Sequence, residues 1–373
     1  MKKHSFLISI MIILSLVIGC SSQAKGDEKQ AEEEIVVIPR AEEILNEMTL
    51  EEKVSQMILI GVTASTKAKS IKSWQPGGIV LFADSFQEST KSKMKSRLEK
   101  MQKKSKIKML ISIDEEGGTV TRMSRFRQFR KSKYLSPRDL YNKGGYERIE
   151  KDTKSKDKLL KSLGINTNIA PVADTPYKRS NFIYDRAMST SAKKNAKYVR
   201  TVVQQMNEDH MVSVVKHFPG YGKARDTHTS VVKDKRKLST FESRDLLPFA
   251  SGIDKGCSMI MVCHNKVSAF DKKNPASVSS RVMSYLRETM NYEGVIVTDS
   301  VSMVGVKKFA GSSPKAAVKA VSAGADMVCA DNGFKGIKKA LVKAAKDGTI
   351  SEAQIDASVL RILNLKLDKG IIE

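Results

Sequence analysis

The chain has 373 residues, 40% of them hydrophobic and 6% aromatic, and carries a formal net charge of +24. So basic a chain would ordinarily point to nucleic acid, but its Lys residues are spread over the whole sequence, its aromatics are few, and it begins with an export signal. Those three observations exclude nucleic acid and favour an anionic surface outside the cell, either phosphate-rich wall polymer or lipid headgroups.

In chain order, residues 1–19 read as a signal peptide. Lys2 and Lys3 form its positive end, and residues 6–18 form an apolar core too short to span a bilayer comfortably. Val17-Ile18-Gly19-Cys20 resembles a bacterial lipobox, in which Cys20 is acylated and becomes the mature N-terminus; ordinary cleavage nearby is the alternative. Residues 20–39 then form a flexible tether, polar and charged without periodicity. Loss of Lys2 and Lys3 leaves a net charge of about +22. The expected location is the outer face of the bacterial cytoplasmic membrane, held by the lipid.

Residues 40–373 are expected to form a single domain, long for one core but ordinary for an α/β barrel. Short apolar runs predict strands at 56–61, 78–82, 109–114, 167–171, 213–217, 259–264, 295–298 and 327–330. Amphipathic, Lys-rich stretches at 89–104, 192–209, 239–255, 279–290 and 335–347 predict helices between them. Thr49-Leu50-Glu51-Glu52 has capping-box spacing and should start the helix before the first strand. Eight strands alternating with helices predict a (β/α)8 barrel. A Rossmann sheet is disfavoured, because no strand leads through GxGxxG into a helix. Residues 126–161 are polar, Lys-rich and hard to assign.

The strand ends carry the chemistry. The third strand gives Ile113-Asp114-Glu115-Glu116-Gly117-Gly118, with Arg122 soon after. Between the fourth and fifth comes Phe182-Ile183-Tyr184-Asp185-Arg186, with a charged pair. The fifth ends in Lys216-His217-Phe218-Pro219-Gly220-Tyr221-Gly222, followed by Asp226-Thr227-His228. The sixth ends at His264-Asn265, and the seventh at Thr298-Asp299-Ser300. Barrel ligands bind at the C-terminal ends of the strands. Cys257, Cys263 and Cys329 lie in apolar runs and read as buried, unpaired core thiols. No His/Cys spacing suggests a metal site, and no cofactor is called for.

Together these motifs resemble bacterial glycoside hydrolase family 3, in its β-N-acetylglucosaminidase branch, over nearly all of the chain after the tether. The most specific matches are Ile113 to Gly118, Phe182 to Arg186, Lys216 to Gly220, Asp226 to His228, and Val297-Thr298-Asp299-Ser300-Val301-Ser302-Met303. The resemblance implies that Asp299 is the nucleophile and His228 the general acid/base, partnered by Asp226. It also implies that Asp114, Arg122, Arg186, Lys216 and His217 hold the sugar.

Elementary chemistry agrees with those roles. Hydrolysis with retention needs an anionic nucleophile below the anomeric carbon and a proton donor at the leaving oxygen. Lys216 and Arg186 are expected to keep Asp299 ionised, and Asp226 to orient the His228 ring. Arg and Lys suit sugar hydroxyls and would attract the lactyl carboxylate of a neighbouring muramic unit. The resemblance thus implies a retaining exo-acting enzyme on N-acetylglucosamine-containing glycans or muropeptides. A β-glucosidase or sugar phosphorylase of the same fold, and a non-catalytic wall-binding lipoprotein, remain as alternatives. The chain departs from the family pattern in two places. Tyr221-Gly222-Lys223-Ala224 replaces the usual His-Gly-Asp-Thr, in a loop one residue shorter, and Ser300 replaces a second acidic residue after the nucleophile. The smaller C-terminal domain of many relatives is not expected.

Overall fold

The computed structural model describes residues 39–224 and 232–373. Eight parallel strands form the centre: β1 (Ile58–Val62), β2 (Gly78–Leu81), β3 (Leu110–Ile113), β4 (Thr167–Asn168), β5 (Val212–Phe218), β6 (Met259–Val262), β7 (Val295–Thr298) and β8 (Val328–Ala330). All eight fall on predicted runs. Their pairing order is β8-β1-β2-β3-β4-β5-β6-β7. One parallel bridge, Val297 to Met327, brings β7 back to β8. The result is a nearly closed (β/α)8 barrel.

Parallel strands covered by helices are buried on both faces, which is why they read as continuous apolar runs. All seven residues of β5 and all four of β7 are buried. Burying each Val or Ile side chain here contributes roughly 1.5–3 kcal/mol. Where the β7–β8 ladder is thinnest, the buried Asp326 ties it together. Its carboxylate accepts from the Ile296 N–H at 2.7 Å, from the Ser358 hydroxyl at 3.0 Å, and from Arg361 at 3.0 Å.

The helices follow the predicted places with local differences. Thr49 forms the capping box with Glu52 and starts Leu50–Gln56, so Gln56 ends that helix instead of opening β1. The stretch read as 239–255 contains a π-helical turn at Phe241–Asp245 before Leu246–Asp254, and 279–290 has another at Tyr285–Thr289. The unassigned polar region becomes a loop and then Pro137–Ser162, a Ser136-capped helix kinked at Gly144 and Gly145. None of the described helices is long and apolar enough to cross a membrane.

At the N-terminal side of the barrel, the helix Glu352–Asp368 packs on Leu50–Gln56. Lys366 is fully buried there, and its Nζ donates to Gln56 Oε1 at 2.7 Å. Burial without a counter-charge pushes this ammonium down to about 7. Cys257, Cys263 and Cys329 are buried and unpaired as expected.

Candidate active site

The C-terminal strand ends surround a cavity of about 600 Å³. Val80, Ile169, Met261 and Cys329 give it apolar lining, and Asp114, Glu116, Arg122, Arg186, Lys216, His217, Asp299 and Asp331 give it charge and hydrogen-bonding groups. Six residues expected from sequence therefore meet in one space: Asp114, Arg122, Arg186, Lys216, His217 and Asp299.

The turn after β3 sets the first of them. Gly117 and Gly118 have φ of 100° and 65°, and a Cβ on Gly117 would lie 2.1 Å from the Leu135 carbonyl oxygen. Only glycine fits that approach. Glu115 is buried and points away from the cavity, accepting from the N–H groups of Arg122 (3.0 Å) and Met123 (2.8 Å) and from the Ser124 hydroxyl. It thereby anchors the segment that brings Arg122 to the rim. Arg122 Nη2 lies 3.6 Å from Asp114 Oδ2.

Glu116 is the hub. Lys216 Nζ contacts Glu116 Oε1 at 2.6 Å and Asp114 Oδ1 at 2.7 Å. Arg186 grips Glu116 bidentately, Nε to Oε2 at 3.0 Å and Nη2 to Oε1 at 2.8 Å. Burial pushes the Glu116 carboxyl up, but Arg186 and Lys216 outweigh it and hold it well below the usual carboxylate range. For the Arg186 guanidinium, burial alone acts downward, and Glu116 reverses it and raises the group.

His217 is fixed by Asp174, which is wholly buried. Asp174 Oδ2 accepts from His217 Nδ1–H at 2.7 Å and from its backbone N–H at 3.1 Å. Arg186 Nη2 donates to His217 Nε2 at 3.1 Å. Because a guanidinium can only donate, Nε2 is the accepting nitrogen of that contact. Tyr221, the residue that departs from the family pattern, donates its N–H to Asp174 Oδ1 at 2.6 Å. Its buried ring stands edge-on to His217, with centroids 5.2 Å apart.

Asp299 is half-buried, directly beyond β7. Its backbone N–H donates to the Val262 carbonyl at 2.9 Å, and its Oδ1 accepts from the Ser300 N–H at 2.7 Å. A partly exposed carboxylate at the cavity wall, facing donors already oriented by buried partners, suits nucleophilic attack on a neutral, hydroxyl-rich ligand.

Three sequence readings need correction or placement. Lys216 and Arg186, expected to keep Asp299 ionised, make ion pairs with Glu116 and Asp114, the carboxylates just beyond β3. Asp185 is exposed, so of the charged pair only Arg186 lines the cavity. His264 is buried; its Nε2–H donates to the Ser300 carbonyl at 2.9 Å and its Nδ1 hydrogen-bonds Ser277 Oγ at 2.6 Å, so it supports the residue after Asp299. Asp226, His228 and Cys20 lie outside the described residues. Sequence reasoning missed Glu116, Asp174 and Asp331. Glu116 stood inside a quoted motif, and Asp174 and Asp331 follow strand ends, which was the available signal.

The profile described as "Glycosyl hydrolase family 3 N terminal domain" matches residues 49–365. A "Beta-hexosaminidase A" of Pseudoalteromonas piscicida is 29% identical over 79% of this chain and 54% of its own length. A "Beta-hexosaminidase" of Methylococcus capsulatus is 31% identical over 69% of this chain and 75% of its own length. Among solved structures, a glycoside hydrolase family 3 beta-N-acetylglucosaminidase from a Paenibacillus species superposes with a TM-score of 0.81 at 30% identity, covering 87% of this chain and 63% of that one. The chain thus spans only about half the length of the first of these relatives.

Proposed function

This chain belongs to glycosyl hydrolase family 3, and on that premise we propose that it is a retaining exo-β-N-acetylglucosaminidase acting on cell-wall-derived glycans. The observation that carries this reading is the meeting of Asp299 with Asp114, Arg122, Arg186, Lys216 and His217 around one cavity of sugar-binding size. The names borne by its relatives point to N-acetylhexosamine as the sugar.

In the proposed mechanism, Asp299 attacks the anomeric carbon while His228 gives its proton to the leaving oxygen. The bond from the anomeric carbon to that oxygen breaks as the bond to Asp299 forms. Water then replaces Asp299, with His228, oriented by Asp226, taking up the proton. Lys216 and Arg186 serve the non-reducing sugar as donors and Asp114 as an acceptor, with His217 beside them lining the same cavity. The positions of Lys216, Arg186 and His217 are set in advance by Glu116 and Asp174, so little ordering remains to be done on binding.

We further propose that the protein is exported and lipid-anchored through Cys20, with its basic surface adding a salt-sensitive contact to anionic polymer. Cys20→Ala should then move it to the soluble or wall-bound fraction. Retention of that variant in the membrane at high salt would contradict the anchor.

The catalytic reading is tested by turnover of 4-nitrophenyl N-acetyl-β-glucosaminide against the corresponding glucoside, each with and without phosphate. Preference for the N-acetylglucosaminide, unaffected by phosphate, is the expected result. Preference for the glucoside, or dependence on phosphate, would overturn it in favour of the alternative sugar or acceptor.

A further inference from the structure

Asp331, the first residue beyond β8, lines the same cavity as Asp299 but touches neither Glu116 nor the cations around it. Its Oδ1 accepts from the Ser300 hydroxyl at 2.8 Å, and its backbone N–H donates to Ser302 Oγ at 3.1 Å. Ser300 Oγ in turn accepts from the Ser302 N–H at 3.2 Å. The Val301 N–H reaches across to the Cys329 carbonyl at 2.8 Å. Residues 300–302 are therefore stitched to the end of β8 by three contacts, two of them through Asp331. The same Ser300 supplies the 2.7 Å N–H contact to Asp299 Oδ1.

We propose that Asp331 is a positioning residue for Asp299, acting through Ser300, which rests on the reading of Asp299 as nucleophile. The Ser300 N–H can restrain the Asp299 carboxylate only if the Ser300 backbone is itself held. The hydroxyl bond to Asp331 holds it from the β8 side, while His264, at 2.9 Å from the Ser300 carbonyl, holds it from the β6 side. Gly61 of β1 makes room for this arrangement. A Cβ there would lie 2.5 Å from the Asp331 carbonyl oxygen and 2.7 Å from the Phe82 ring, so Asp331 can approach only over a glycine. Ser300, noted above as the place where an acidic residue is usual, is thus the partner of an acidic residue supplied from the next strand.

The test measures kcat and KM on 4-nitrophenyl N-acetyl-β-glucosaminide for the full chain and for Asp331→Ala, Asp331→Asn and Gly61→Ala, each checked for wild-type thermal unfolding. Misplacing a reacting group by a fraction of an ångström to 1 Å costs up to about 10²-fold. Asp331→Ala should lose about tenfold in kcat with little change in KM. Asp331→Asn keeps an oxygen acceptor for Ser300 and should recover most of that loss. Gly61→Ala should resemble Asp331→Ala. An Asp331→Ala variant at the wild-type rate would overturn the proposal. So would a rise in KM at unchanged kcat, or an Asp331→Asn variant as slow as the alanine, since either would make Asp331 a direct ligand or a required charge. Absence of turnover in the wild-type chain would count instead against the function proposed above.

Discussion

The Arg186 guanidinium meets both oxygens of Glu116, at 3.0 and 2.8 Å, while Lys216 meets one of the same oxygens at 2.6 Å. Two side chains proposed to bind sugar are thus held by a third that sequence reading passed over. A carboxylate only 2% exposed and engaged by two cations is stable only while all three are present.

Glu116→Gln keeps the shape and removes the charge, leaving Arg186 without its counter-ion. Breaking a buried pair typically costs roughly 3–5 kcal/mol, and that is the loss expected in urea unfolding at neutral pH. The folded carboxyl lies below its ordinary 4.5, so its contribution is complete above that value and is lost as pH falls toward the folded one. The stability gap between wild type and variant should therefore narrow from about pH 4.5 downward. A gap that stays constant with pH would contradict the pairing.

Much of the barrel was legible because burial on both faces leaves a simple mark. Val295–Thr298 and Met259–Val262 are unbroken apolar runs closed by polar residues, and strand, strand end and candidate nucleophile follow from that alone. Thr49 and Glu52 announced their helix through a purely local hydrogen-bond pattern. Glu116 was not legible as the hub, because its partners lie 70 residues and more along the chain and meet it only when β3 and β5 become neighbours across β4. Asp174 was missed for a related reason. β4 has only two paired residues and Asp174 stands six positions beyond them, so the strand-end signal that was available pointed to it only weakly. The helix Pro137–Ser162 was obscured by its Lys-rich exposed face and by the Gly144–Gly145 kink, which breaks its periodicity.

Lys366 carries a prediction about stability far from the cavity. Its folded ammonium value, about 7, lies below the ordinary 10.5, so the unfolded chain binds more protons between those values. Stability should rise with pH across that window, at up to about 1.4 kcal/mol per pH unit, and be lost as pH returns toward 7. Lys366→Met removes the buried amine, so the wild-type protein should gain on the variant as pH is raised from 7.5 to 9. Parallel pH–stability curves for the two would show that Lys366 is not buried as described.

His228→Ala separates leaving groups. A nitrophenolate departs with little help, whereas a sugar alkoxide needs the proton, and general acid catalysis is typically worth about 10²–10⁴-fold. The variant should therefore lose far more on a disaccharide than on the nitrophenyl glycoside. Equal losses on both would remove His228 from the acid role.

Asp299→Asn bears most directly on the central claim, since the change is nearly isosteric and leaves an oxygen to accept the Ser300 N–H now 2.7 Å away. Turnover of 4-nitrophenyl N-acetyl-β-glucosaminide by this variant, measured beside its thermal unfolding, should fall at least ~10³-fold with the unfolding midpoint retained, because covalent and electrostatic stabilisation vanish together. A folded Asp299→Asn protein that hydrolyses this substrate at near wild-type rate would contradict the account.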